Sequence, residues 1–394
     1  MSAFLCNLSE VHLNQVNPLD LTEQENCFKV AGLIVSGLLH HEFSYPELQY
    51  SRKVDPIVGA SATGIFDFFV NLFGVEWLVW WKRGRGEYIV PLESVELSYI
   101  EIEKTLLERR DKHHFLYLDY VHQDSPGEYT LDLNGYFTKV EQVFFTFWRE
   151  TVEKTVKTYC ERNNLRVPNR CTTVKPSGTG SLLTGASPGW HPPKAARFIR
   201  RITFSVHDHV ALACRDFGYN IVPSVGSTDE EGHYIKDIND PRVKEWLVEI
   251  PVEVPWAALA DKAEADPNQF SFEAQFSFLM QMQKYYVRQN TSATLEYRQQ
   301  EIPKVTELIY NAIQNNEGYI SAAMMARFDD FQSHPLLPFE PITESEYLRL
   351  QEQALSRRKA GTFYEFLEQH DKGEESTQEI YVGGCDSEKC SIKF

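Results

Sequence analysis

Three groups of residues carry types and spacings that could do chemistry. Cys385 and Cys390 are separated by four residues, follow Gly383 and Gly384, and lie a few positions from the C-terminus, beyond the polar stretch Asp371-Lys372-Gly373-Glu374-Glu375-Ser376. Terminal polar segments are usually mobile. A thiol pair on a mobile arm can attack a buried disulfide, become oxidised itself, and be reduced by an external dithiol protein. Two plainer readings compete: a metal pair, which would need two further ligands nearby, and incidental cysteines. The second group is the run Thr172-Thr173-Val174-Lys175-Pro176-Ser177-Gly178-Thr179-Gly180-Ser181. Its small residues let the backbone approach an anion, and its hydroxyls add donors. A helix starting after Ser181 would direct its N-terminal N–H groups at phosphate. No Gly-Lys-Ser/Thr follows, so it is not a Walker loop, and by itself it reads equally well as an ordinary turn. The third group, Cys6-Asn7-Leu8-Ser9-Glu10, says little alone.

The elements that must position these groups alternate between strand and helix. Thr22 with Glu25 forms a capping box that predicts a helix over 22–41, with apolar residues recurring from Phe28 to Leu39. Asp55–Ser61 reads as a short buried strand turning at Thr63-Gly64, and an aromatic helix follows to about Trp81. In 84–140 the run Phe115–Leu118, the turn Asp124-Ser125-Pro126-Gly127 and the run Tyr129–Leu133 read as a β-hairpin in an inserted lobe. A long helix runs from about Val140 to Asn163. Cys171–Val174 reads as a strand entering the small-residue loop, and Arg201–Phe204 and Ile221–Val225 as further strands around a helix near 210–217. Helices are predicted at 271–289 and 302–315, and another starts at Thr343 with Glu346 in the box position. The resulting division is 1–83, an inserted lobe at 84–140, 141–370, and a flexible tail at 371–394.

Composition bounds the rest. The 394 residues suffice for one large domain or two smaller ones, and 42% hydrophobic with 24% charged residues is ordinary for a globular protein. The formal net charge of −17 disfavours binding to a nucleic acid polymer but leaves a phosphate loop free to hold a nucleotide. Apolar runs fall short of the ~20 residues of a membrane span. The N-terminus lacks the basic start and apolar core of a signal peptide, so the expected location is the cytoplasm. Seven scattered cysteines do not suggest a disulfide scaffold. Cys27, Cys160, Cys171 and Cys214 read as small buried hydrophobes.

Taken together, the motifs resemble one family. The run Cys6–Gln15 (CNLSEVHLNQ), Cys171–Phe204 (CTTVKPSGTGSLLTGASPGWHPPKAARFIRRITF), Asp55–Phe69 (DPIVGASATGIFDFF) and Asn290–Thr294 (NTSAT) are similar to adenosylcobalamin-dependent (class II) ribonucleotide reductases, as is the Cys-x4-Cys tail. The resemblance covers most of the chain outside 84–140 and implies an α/β fold: the C-terminal portion of a ten-stranded α/β barrel, incomplete in this chain, with a flexible tail. In that family homolysis of the cofactor's cobalt–carbon bond generates a thiyl radical on a finger-loop cysteine. The radical abstracts the ribose 3′ hydrogen, and the 2′ hydroxyl leaves as water at the expense of a cysteine pair. By resemblance, Cys6 is one member of that pair, Cys385 and Cys390 re-reduce it and pass the oxidation to thioredoxin, and Pro176, Ser177, Gly178 and Thr179 hold the substrate phosphates. His191 falls in a matching segment and reads better as structural.

The departures matter too. The family's Asn-Pro-Cys-x-Glu motif belongs just before the position of Cys6, and no counterpart precedes Cys6 here; the partner of Cys6 is likewise absent. The expectation is therefore a reductase part that is inactive alone and is completed in trans by an N-terminal half, acting on ribonucleoside triphosphates with adenosylcobalamin and thioredoxin. No protein metal ligands are assigned. The alternative is a non-catalytic redox or nucleotide-binding remnant of the enzyme.

Overall fold

In the computed structural model of the chain, residues 6–94, 101–106, 116–327 and 336–371 are described. Cys385 and Cys390, with nearly all of the 371–394 tail, lie outside the described residues. In chain order the strands are β1 Cys6–His12, β2 Ile57–Thr63, β3 Ile89–Pro91, β4 Val121–Ser125, β5 Glu128–Asp132, β6 Arg197–Ser205, β7 Asn220–Pro223, β8 Glu245–Glu253, β9 Thr294–Tyr297, β10 Ala323–Ala326 and β11 Phe339–Pro341. The chain divides into two compact units, Met1–Pro192 with Ala258–Arg327, and Pro193–Ala257 with Phe328–Phe394.

The first unit is built on parallel strands. β1 pairs with β2 in register from Cys6 opposite Ile57 to His12 opposite Thr63. β2 continues to the 171–174 segment through the parallel bridge Ala60–Thr172, and that segment continues to Thr291 through Val174. The chain then runs on into β9, which pairs in parallel with β10. Five parallel segments thus stand in one row. The described residues do not close this row, so the ten-stranded barrel expected from the sequence is represented by an open α/β row.

Helices pack on one side of it. Leu21–Gly37 lies against β1, where Ser9 donates to the Ala31 carbonyl at 3.1 Å. The long helix Leu133–Arg162 lies behind it, with Phe28 stacked on Trp148 at 5.2 Å. Gly32 permits the close approach, since a Cβ there would fall 3.2 Å from Thr155 Cβ. The core beneath is aromatic: Phe66, Phe68, Phe69, Trp77, Trp81 and Phe278 interleave at 4.8–6.0 Å. Into it is set a fully buried ion pair. The Arg85 guanidinium donates twice to Glu141, at 2.8 and 2.7 Å, and Trp77 Nε1 adds a third bond at 3.0 Å. Arg85 also lies 4.0 Å from the Trp80 ring centre, so its charge is met by carboxylate and π-face together.

The second unit is a four-stranded antiparallel sheet, β11-β6-β8-β7, covered by the helices His209–Asp216, Glu344–Arg357 and Phe363–His370. Trp246, Val248, Ala211, Cys214 and Ile221 form its core.

Several local readings need correction. The first helix is capped by Asp20, whose Oδ1 accepts from the N–H groups of Thr22 and Glu23 at 2.9 Å, rather than by Thr22, and it ends at Gly37. The aromatic helix is two helices, Ile65–Phe73 and Val75–Lys82, broken at Gly74, whose φ of +68° only glycine adopts freely. The hairpin turns at Pro126-Gly127 as expected, but its first strand is Val121–Ser125, and 116–120 is a 3-10 turn. The long helix starts seven residues earlier than expected, at Leu133. Thr343 does cap the helix Glu344–Arg357, accepting from Glu346 N–H at 3.3 Å.

Candidate functional site

Alternation along β1 decides what faces where. Ser9 reaches the helix behind the sheet, and Val11 is buried. Cys6, Leu8, Glu10 and His12 therefore point to the opposite, inner face. Leu8 is 43% exposed there. The thiol and the Glu10 carboxylate lie on that one face, four residues or ~13 Å apart along the strand.

Cys6 is held by Gln289. The Gln289 amide donates through Nε2 to the Val58 carbonyl, which fixes its orientation and turns Oε1 towards Cys6, whose thiol donates to it at 3.5 Å. Partial burial pushes the Cys6 thiol above its ordinary value, and the hydrogen bond with Gln289 and the Arg52 and Arg170 charges only partly oppose this. The amide crosses directly over Gly59. A Cβ at Gly59 would meet Thr173 Cγ2 at 2.6 Å, Leu8 Cδ2 at 2.7 Å and Gln289 Nε2 at 3.3 Å, so glycine is what allows the crossing.

Further along β1, Glu10 gathers the small-residue loop. Its carboxylate accepts a short hydrogen bond from the Ser177 hydroxyl, pairs with Lys175 Nζ at 3.0 Å and lies 3.8 Å from His12 Nε2. His12 Nδ1 in turn is 2.7 Å from the Thr184 hydroxyl, and Asn14 Nδ2 donates to the Thr184 carbonyl at 2.9 Å. The loop's base is tied to β2: Lys175 N–H donates to Ser61 Oγ at 3.0 Å, and Gly189 N–H to Thr63 Oγ1 at 2.8 Å. The helix expected after Ser181 is a single 3-10 turn, Gly180–Leu183. Four residues give little aligned dipole, so this turn offers no helix end that would draw an anion.

Of the residues singled out from sequence, Cys6 and Ser177 are brought to one strand face through Glu10. Ser177 is buried, while Pro176 and Thr179 are exposed. Cys385 and Cys390 fall outside the described residues. Glu10, Lys175, His12 and Gln289 were missed as contributors. The one sequence signal for Glu10 was its even spacing from Cys6 on a strand. His191 is structural, as expected: Nδ1 is 3.0 Å from the Pro188 carbonyl and Nε2 accepts from Thr294 N–H at 3.0 Å, so the ring pins the loop to β9 as the neutral Nδ1–H tautomer.

Of the remaining described cysteines, Cys160, Cys171 and Cys214 are buried. Burial pushes the Cys171 thiol up to about 12 and the Cys214 thiol up to about 11, and it raises Cys160 as well. Cys27 is only half-buried, less than the sequence implied. In the second unit Asp229, Glu231 and His233 bring ligand atoms within 4.8 Å of one another. A tight turn accounts for them, since Asp229 Oδ1 accepts from the N–H groups of Glu231 and His233 at 3.0 and 2.8 Å. No described helix is long and apolar enough to cross a membrane.

An adenosylcobalamin-dependent ribonucleoside-triphosphate reductase of Lactobacillus gasseri is 26% identical over 238 residues, covering 60% of this chain and 28% of the relative. One of Lacticaseibacillus paracasei is 28% identical over 308 residues, covering 77% and 33%. The chain resembles the adenosylcobalamin-dependent ribonucleotide reductases. It spans about a third or less of the length of these curated reductases. The crystal structure of a B-12 dependent (class II) ribonucleotide reductase shares its fold, with a TM-score of 0.58 at 20% identity, over 93% of this chain and 42% of that one. No family model matches the chain.

Proposed function

We propose that this chain forms the C-terminal part of a ribonucleotide reductase that converts ribonucleoside triphosphates to deoxyribonucleotides by thiyl-radical chemistry, completed in trans by an N-terminal half. The observation that supports this most is the inner face of β1, where the Cys6 thiol and the Glu10 carboxylate that gathers the small-residue loop stand four residues, ~13 Å, apart on one strand. Ser177 and its neighbours Pro176, Gly178 and Thr179 would hold the phosphates and so fix the ribose along β1, towards Cys6. The Cys6 thiol, kept protonated by its surroundings, supplies hydrogen as the 2′ hydroxyl leaves as water. Two thiols are thereby oxidised to a disulfide, Cys6 and its partner on the completing half. The tail dithiol, Cys385 and Cys390, exchanges with that disulfide and is itself reduced by thioredoxin.

The cofactor is adenosylcobalamin, as the names of the relatives state, and when bound it supplies the initiating radical. The residues around the loop do not by themselves fit a corrin ring: the exposed apolar surface there is Leu182 and Leu183, amid polar neighbours. Its seat is therefore assigned to the completing half.

The test is co-expression with a polypeptide carrying the finger-loop cysteine, followed by an assay of deoxyribonucleotide formation with adenosylcobalamin. Turnover that disappears in Cys6→Ser is expected. In Cys385→Ser/Cys390→Ser, turnover with thioredoxin should disappear while turnover with a small dithiol persists. A well-folded complex without activity would overturn the reading.

A further inference from the structure

The loop assigned to substrate phosphate already holds an anion, and that anion belongs to the protein. The Glu10 carboxylate accepts from the Ser177 hydroxyl and pairs with Lys175 Nζ at 3.0 Å. Its side chain is 8% exposed and that of Lys175 23%, so the pair is screened only in part by water. The fit is close: an added Cβ at Gly180 would lie 2.8 Å from Glu10 Oε2 and 3.4 Å from Lys175 Nζ. A cation, a hydroxyl and a glycine cradle are what a phosphate oxygen would ask for, and all three are occupied by one carboxylate.

We infer that Glu10 is a built-in competitor for the phosphate site, and that a nucleoside polyphosphate binds only by displacing its carboxylate from Lys175 and Ser177. The inference rests on the phosphate-loop reading above and extends it. Displacement has somewhere to go: His12 Nε2 lies 3.8 Å from the same carboxylate, on the same strand face, and can take it over as Lys175 turns to the incoming anion. It also couples substrate to the thiol strand, because the side chain that must move stands on β1, four residues from Cys6. A carboxylate that merely buttressed the loop would act in the opposite direction, and its removal would loosen Ser177 and Lys175 and weaken phosphate binding.

The sign of the effect therefore decides the matter. The full-length chain is titrated calorimetrically with inorganic tripolyphosphate, without divalent metal, as wild type, Glu10→Gln, Lys175→Met and the Glu10→Gln/Lys175→Met double variant. Glu10→Gln is expected to bind at least about tenfold more tightly than wild type, because a like charge a few ångströms from the incoming phosphate has gone. Lys175→Met should remove most of that gain. Binding by Glu10→Gln equal to or weaker than wild type overturns the inference. If the wild type binds in a Lys175-dependent way and Glu10→Gln gains nothing, only the competitor role falls. If no variant binds, the phosphate-loop reading falls with it. Should Glu10→Gln fail to fold, Gly180→Ala takes its place. Its Cβ pushes the carboxylate out of the cradle, tighter binding is again expected, and unchanged or weaker binding overturns the proposal.

Discussion

Gly59 offers the sharpest test of the inner-face geometry, because only packing forbids a side chain there. Among the glycines it has no left-handed φ, so Gly59→Ala carries no backbone strain. The added methyl would sit 2.6 Å from Thr173 Cγ2 and 2.7 Å from Leu8 Cδ2, about 1 Å inside ordinary carbon–carbon contact on both sides. The two neighbours differ in how far they can yield. Leu8 is 43% exposed and can swing away. Thr173 is buried and its hydroxyl is tied to the Asn290 carbonyl at 2.6 Å, so it resists rotation. One yielding and one fixed wall place the cost in the middle of the overpacking range, about 2 kcal/mol. Gln289 Nε2, at 3.3 Å, must also shift and loosen its bond to Val58, which frees the thiol. The assay is urea unfolding followed by tryptophan fluorescence, paired with the rate of Cys6 alkylation at pH 8 measured by peptide mass spectrometry. Unfolding should move by about 2 kcal/mol, and Cys6 alkylation should quicken severalfold. Gly226→Ala is the control: it has open space around it and no left-handed φ, so it should be neutral or stabilise by about 0.4–1 kcal/mol. A Gly59→Ala variant within 0.5 kcal/mol of wild type, with Cys6 reactivity unchanged, would refute the packing argument.

Glu141→Gln leaves the Arg85 charge buried without its carboxylate and should cost about 3–5 kcal/mol in urea unfolding, whereas Arg85→Met/Glu141→Leu together should recover much of it. Asp216 is opposed by burial, but hydrogen bonds from Lys359 and His370 outweigh that and hold its carboxyl below the usual range. A depressed carboxyl stabilises the fold above its unfolded value of about 3.9 and loses that contribution as pH falls through the folded value. Asp216→Asn should therefore cost about 1–2 kcal/mol at pH 7, discounted for the exposed Lys359, and nothing measurable in acid below both values. Native-state alkylation at pH 8 should label Cys6 and spare Cys160, Cys171 and Cys214 until urea unfolds the chain; labelling of Cys171 before Cys6 would contradict their burial.

Local chemistry was legible in the sequence where the partner lay within a few residues. The Thr343 cap and the Pro126-Gly127 turn are short-range devices and came through. The first helix shows the limit: Thr22 and Asp20 are both competent caps, and the choice fell to Asp20 because the preceding turn, with Asp20 N–H on the Asn17 carbonyl, places its side chain over the free N–H groups. The break at Gly74 was masked by an apolar pattern that continues on both sides. The site was legible only in its thiol and its loop. Glu10 and Ser177 are 167 residues apart and Cys6 and Gln289 283, and no periodicity or short motif reports contacts made across a parallel row.

That row also bears on the proposed completion in trans. Parallel strands are normally covered on both faces. Here one face of β1 meets the helix Leu21–Gly37, while the other presents Cys6 and Leu8, both exposed. An exposed leucine beside an exposed thiol, on a strand buried on its far side, is the surface expected where a second layer has to pack. Cys6, the thiol proposed to do the chemistry, lies on that exposed part of the face. Under the proposed completion in trans, covering this face would complete the fold and the site together, and a polypeptide that covers β1 without quenching the alkylation of Cys6 would break that link.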